Sequence, residues 1–220
     1  MNPTDYDHLA TALNHASVDG TRDDPLYTAV KELLDGHHAA TPKPTTHLMF
    51  LDVETTGLDP SLHEVWEIAY ALEDGPVQSS TVEHSSHRLS PQAAAVNHYF
   101  DRTTLVHKLT HEQLAYRADF EREFQRQLVG ATIVAANPAY DTAMLRARYG
   151  ADLWHYRLID IETFAMPVLG FARPPSFLTI VEHLNTHYGA GIDLPDHSAA
   201  GDVEALRSAY AKLVELAHPA

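Results

Sequence analysis

The rhythm of apolar and polar positions changes several times along this chain, and each change marks an element. The run Leu48-Met49-Phe50-Leu51 is apolar throughout, as in a buried strand, and leads directly into Asp52-Val53-Glu54. Two further β-prone runs follow, so strands are predicted over residues 48–53, 64–72 and 77–83, with Glu73-Asp74-Gly75-Pro76 as the turn between the last two. Short β-prone runs at 132–136 and 156–161 complete a set of five. Helical spacing and capping residues predict helices over 91–99, 110–128, 139–149, 162–169 and 177–188. A last helix is predicted from a cap at Ser198 to about Leu216, with Val203, Leu206, Tyr210 and Leu213 on its buried stripe. An antiparallel meander followed by alternating helices and strands makes an α/β protein with a mixed five-stranded sheet flanked by helices.

The first 45 residues read differently. Residues 3–17 and 25–37 look helical around the break Asp19-Gly20-Thr21, and 40–46 (A-T-P-K-P-T-T) reads as a linker. A small helical N-terminal extension, 1–45, is therefore expected ahead of a main domain at 46–220. Its apolar residues, Leu9, Leu13, Leu26, Val30, Leu33 and Leu34, are too few for a core of its own, so it is expected to pack on the main domain or on another subunit. Its many acidic residues would repel a phosphate backbone.

Chemistry concentrates in three short segments. Leu51-Asp52-Val53-Glu54-Thr55-Thr56-Gly57-Leu58, Asn137-Pro138-Ala139-Tyr140-Asp141 and His197-Ser198-Ala199-Ala200-Gly201-Asp202 together carry four carboxylates and one imidazole. Asp52 and Glu54 are two apart on a strand and so share a face. Adjacent anions at the end of a buried strand must either take up a proton or share a cation. Oxygen-only ligands in a chain without cysteine favour hard ions, Mg²⁺ or Mn²⁺. Asn137-Pro138 supplies a cap and a proline at the first helical position, which puts Asp141 in a first turn. His197 and Asp202 stand about 140° apart on a regular helix, so a helix starting between them is needed for both to face one site. His197 then lies on the lead-in and Asp202 in the first turn.

These three segments, in this order, resemble the DEDD superfamily of 3′–5′ exonucleases, in the subgroup whose third motif carries a histidine (DEDDh). The resemblance covers residues from about 46 to the C-terminus and implies a ribonuclease H-like fold. It implies that Asp52, Glu54 and Asp202 ligate two divalent ions, that Asp141 completes the acidic set partly through water, and that His197 deprotonates the attacking water. Thr55, Thr56 and Gly57 would offer donors to the terminal nucleotide, Leu58 would wedge against the last bases, and Asn137 would add a hydrogen bond. Glu67 matches an acidic position on the family's second strand, and Arg157-Leu158-Ile159-Asp160 resembles the strand before its later helices. One departure is Ala136, where the family usually has histidine or another polar residue. Tyr140 is open to two readings, base stacking or packing, with packing the commoner role near a helix start.

Composition narrows the partners. A net charge of −15 over 220 residues suits local binding of short or single-stranded 3′ ends better than a grip on long duplexes. Nine of fifteen Lys and Arg lie between Arg102 and Arg173, so a local basic strip is expected there, with Arg146 and Arg148 as first candidates beside the plainer reading of a solvated face. No signal peptide or membrane span is evident, which predicts a soluble, cytoplasmic protein without a membrane partner. The remaining histidine pairs, His37-His38, His84 with His87, and His107 with His111, read as surface residues. An active exonuclease on single-stranded DNA, an oligoribonuclease-like enzyme on short RNA, and a non-catalytic module attached to a polymerase or other replication partner are the readings carried forward. Retention of all five side chains favours an enzyme.

Overall fold

The computed structural model describes residues 47–103 and 109–218. The two helical pieces and linker expected before residue 47, the His37-His38 pair, and His107 lie outside those residues.

The sheet is built around β1, Leu48–Thr55. It pairs antiparallel with β2, Val65–Leu72, and parallel with β4, Thr132–Ala135. Strand β3, Gln78–Thr81, continues the antiparallel meander, and β5, Ile159–Asp160, adds a parallel edge, giving the order β3-β2-β1-β4-β5. This is the mixed five-stranded sheet that the pattern predicts.

Helices cover both faces, which is why β1 reads as a continuous apolar run. On one face Met49, Leu51 and Val53 pack with α3, His111–Leu128, through Phe120, Phe124 and Leu128, and with α4, Pro138–Tyr149, through Met144 and Leu145. On the other, Phe50 packs with α5, Ile161–Leu169, α6, Phe177–Tyr188, and α7, Ala199–Ala217. The two-residue period of a strand puts Asp52 and Glu54 on the same face as Phe50, toward α7. Helices α1, Pro91–Val96, and α2, Tyr99–Arg102, close the end of β2 through a small cluster of Trp66, Ala94 and Tyr99.

Three elements differ from the sequence prediction. The helix expected over 91–99 stops at Val96, because Asn97 turns inward to donate from Nδ2 to Thr55 O at 3.0 Å and His98 takes a left-handed conformation, φ 52°. The strand expected over 156–161 shrinks to Ile159–Asp160: Tyr156 is 77% exposed, and Asp160 caps α5 by accepting from Glu162 N at 3.0 Å. The apolar Leu158, Ile159 and Ile161 fit a strand locally, but an edge position with one neighbour ends the pairing early. Asn137 occupies the cap position of α4 yet makes no side-chain cap bond, with φ 57°. Among the described residues no helix is long and apolar enough to cross a membrane.

Candidate active site

Asp52, Glu54 and Asp202 each present a carboxylate oxygen within 4.8 Å of the others. Sequence-distant elements make this meeting. Strand β1 supplies the first two from one face, and Ser198 starts α7 so that Asp202 falls in its first turn, Ser198 Oγ accepting from Gly201 N at 3.0 Å. A β carbon on residue 201 would lie 2.6 Å from Asp196 Oδ1 and 2.8 Å from Ser198 Oγ, so glycine lets this tight cap form. The lead-in folds over the Asp202 carboxylate, with Asp196 N donating to Oδ1 at 3.0 Å. His197, at φ 58°, stands outside the helix, and it lines a cleft of about 250 Å³ together with Asp52, Ala136, Phe177, Leu178 and Asp202.

Asp141, in the first turn of α4, is buried beside this trio. Its Oδ1 accepts from Val53 N at 3.2 Å, the residue between Asp52 and Glu54. Burial pushes Asp141 up to about 7. The Glu54 carboxyl is pushed up to about 8, first by burial and then by repulsion from Asp202 and Glu67. Asp52 is held well above the usual carboxylate range by burial, with Asp141, Glu54 and Asp202 adding repulsion, and Asp202 is raised by burial. Three converging carboxyls that resist ionisation together are what a divalent cation relieves, so the residues present fit a metal centre.

The loop after β1 is a rigid shelf. Thr56 is fully buried, its Oγ1 accepting from Glu64 N at 2.9 Å and its N donating to Glu64 O at 2.8 Å. Thr55 Oγ1 donates to Gly57 O at 2.9 Å and lies 2.6 Å from the Tyr140 hydroxyl, which also donates to Gly57 O at 3.1 Å. Tyr140 therefore takes the packing role, with its hydroxyl tying α4 to the loop. A β carbon on residue 57 would fall 2.5 Å from the His63 ring, so any larger residue there must displace that ring, whose Nδ1 lies 2.7 Å from Arg88 O. Leu58 stands at the tip, 81% exposed, and Asn137 is exposed.

No family model matches the chain, and no curated protein matches it significantly. Solved structures do. Escherichia coli exonuclease I in complex with a dA16 oligonucleotide superposes with a TM-score of 0.51 at 21% identity, over 78% of this chain and 41% of that one. The nuclease domain of 3′hExo, a DEDDh family member bound to rAMP, gives 0.53 at 14% identity, over 80% and 94%. Exonuclease I from Methylocaldum szegediense gives 0.52 at 20% identity, over 79% and 41%. The fold is that of the DEDDh exonucleases. This chain spans about 41% of the exonuclease I chains that it matches.

Within this fold, several residues of the site had no local signal. Asn97 lies against Glu54 and Thr55, and Arg102 reaches both Glu67 and the His197 carbonyl, contacts separated by 35 and 95 residues. The apolar lining from Phe177, Leu178 and Pro195 reads in sequence as ordinary core. Arg146 and Arg148, the expected start of a basic strip, are occupied by the chain's own acids. Arg146 pairs with Asp152, and Arg148 pairs with Glu121 and donates to Glu83 O.

Proposed function

We propose that this chain is a metal-dependent 3′–5′ exonuclease that hydrolyses the last phosphodiester at the 3′ end of single-stranded nucleic acid, with DNA favoured over short RNA. The convergence of Asp52, Glu54 and Asp202 beside His197 in one cleft carries this reading. Four acidic groups suit two divalent ions, Mg²⁺ or Mn²⁺: Asp52, Glu54 and Asp202 would hold them, with Asp141 at the margin acting partly through water. Such ions, when bound, supply positive charge to the phosphodiester and to the departing 3′ oxygen.

The chain's own side chains do the rest. The His197 imidazole takes a proton from the attacking water, which forms the new P–O bond as the bond to the 3′ oxygen breaks. The products are a nucleoside 5′-monophosphate and a strand one residue shorter with a 3′ hydroxyl. Thr55, Thr56 and Gly57 hold the loop that presents Leu58 as an apolar surface to the terminal bases, and Asn137 offers an amide to the strand. Phe177, Leu178 and Leu206 give the cleft an apolar wall suited to a nucleotide.

Two matching exonuclease I structures hold dA16 and dT13, which supports DNA, and the net charge of −15 supports a local grip on single strands. The rAMP in 3′hExo supports the second reading, an oligoribonuclease-like enzyme on short RNA. Digestion of matched 5′-labelled DNA and RNA oligonucleotides with Mg²⁺ or Mn²⁺ tests the proposal. A ladder shortening from the 3′ end is expected, stronger for DNA. Intact strands of both kinds would overturn it.

A further inference from the structure

Glu67 lies directly opposite Glu54 in the β1–β2 register, so two carboxylates face each other across the strand pair on the side that carries Asp52. Like charges in that position destabilise a sheet unless something answers them. Arg102 does so from the end of α2. Its Nη2 donates to Glu67 Oε2, its Nη1 donates to His197 O at 2.7 Å and to Asn97 O at 3.1 Å, and its guanidinium carbon sits 5.1 Å from the centre of the Trp66 ring. Glu67 Oε2 also accepts from Ala199 N at 3.2 Å. Arg102 and Glu67 thus grip the chain immediately after the His197 side chain, at the His197 carbonyl and the Ala199 amide.

That grip matters because of the conformation it holds. His197 has φ 58°, a sparsely populated region for a residue with a β carbon, which persists where the surroundings over-determine it. A short lead-in with a positive φ and no anchor would let the imidazole swing away from Asp52 and Asp202. We propose that Arg102 is a positioning residue: with Glu67 it clamps the lead-in to α7, fixes the His197 imidazole over the carboxylates, and acts on turnover through His197. The inference rests on the exonuclease reading. A flat two-armed guanidinium meets three acceptors while lying over an indole, which a lysine ammonium does not reproduce.

The test compares wild type, Arg102→Ala, Arg102→Lys, His197→Ala and the Arg102→Ala/His197→Ala double variant on 5′-labelled single-stranded DNA at saturating Mn²⁺, after thermal melting has established that each is folded. Arg102→Ala is expected to lower kcat about 10- to 100-fold with KM little changed, as other orienting partners do. Arg102→Lys should recover only part of the rate. In the His197→Ala background the same change should cost less than about threefold, because its route of action is already gone. Hydrogen exchange of the metal-free proteins supplies a readout independent of cleavage: amides at 197–199 should exchange faster in Arg102→Ala. Equal losses in both backgrounds, an unchanged kcat, or full activity of the lysine variant would overturn the clamp. If wild type cleaves nothing, the exonuclease reading fails by itself, and the exchange comparison still decides the clamp: faster exchange supports it, unchanged exchange overturns it.

Discussion

Val53 N donates to Asp141 Oδ1 across 3.2 Å, so the strand residue between Asp52 and Glu54 is tied to the first turn of α4. The bond does two things. It satisfies a strand amide, and it brings a fourth carboxylate to the edge of the metal site.

These two roles separate by substitution. Asp141→Asn keeps an acceptor for Val53 N and removes a carboxyl that burial has raised to about 7, so it should melt at or above the parent temperature at pH 8 while losing turnover. Asp141→Ala leaves the amide without a partner, at a cost of about 1–3 kcal/mol. Melting curves and cleavage rates of the two variants check this; an asparagine variant as unstable as the alanine one would deny the bond its structural part.

Metal dependence follows from the trio. Chelation should abolish hydrolysis, and Asp52→Ala should lower the rate on the order of 10³-fold or more. Calorimetric titration of Mn²⁺ into the variant should show weakened binding. Full activity of the purified variant in Mg²⁺ would sink the proposed mechanism.

Removing the imidazole should separate chemistry from metal binding. His197→Ala is expected to cut turnover roughly 10²- to 10⁴-fold while leaving Mn²⁺ and oligonucleotide binding near the parent values. Loss of metal binding instead would make His197 a ligand, and an unchanged rate would remove it from the mechanism.

The raised carboxyls also set how stability varies with pH in the metal-free protein. Glu54 moves from its ordinary 4.5 to about 8, and Asp141 from 3.8 to about 7. A group whose pKa rises on folding contributes stability that is fully present below its unfolded value and is lost as pH climbs through its folded value. The metal-free melting temperature should therefore fall between about pH 4.5 and pH 8, most steeply below about pH 7, where the unfolded chain has released both protons and the folded one still holds them. Saturating Mg²⁺ should reverse the fall, since it binds the ionised forms. Glu54→Gln should flatten the metal-free slope; a melting temperature that rises across this range would contradict the account.

The loop tie can be tested alone. Tyr140→Phe removes the hydroxyl shared by Thr55 and Gly57 and should cost about 1 kcal/mol. It should also raise KM for single strands by loosening the shelf under Leu58. Kinetics and melting of the variant report both, and an unchanged KM would confine Tyr140 to packing.

What the sequence determined is the part of this protein that depends on neighbours along the chain. The continuous apolar run before Asp52 specified a strand buried on both faces, and the two-residue period put Asp52 and Glu54 side by side. Ser198 and the five-residue spacing required α7 to begin between His197 and Asp202, and it does. The order and spacing of three motifs also carried the resemblance that the fold comparisons match. Tertiary structure decided the rest, because the interactions are between residues that no local pattern relates. Asn97 broke a helix by bonding a strand carbonyl 42 residues away, and Arg102 found Glu67 and the His197 carbonyl through the closure of the whole domain. Arg146 and Arg148 became ion-pair partners instead of a basic strip for the same reason. A side chain's charge is written in the sequence; which opposite charge it meets is fixed only when the sheet and its helices pack.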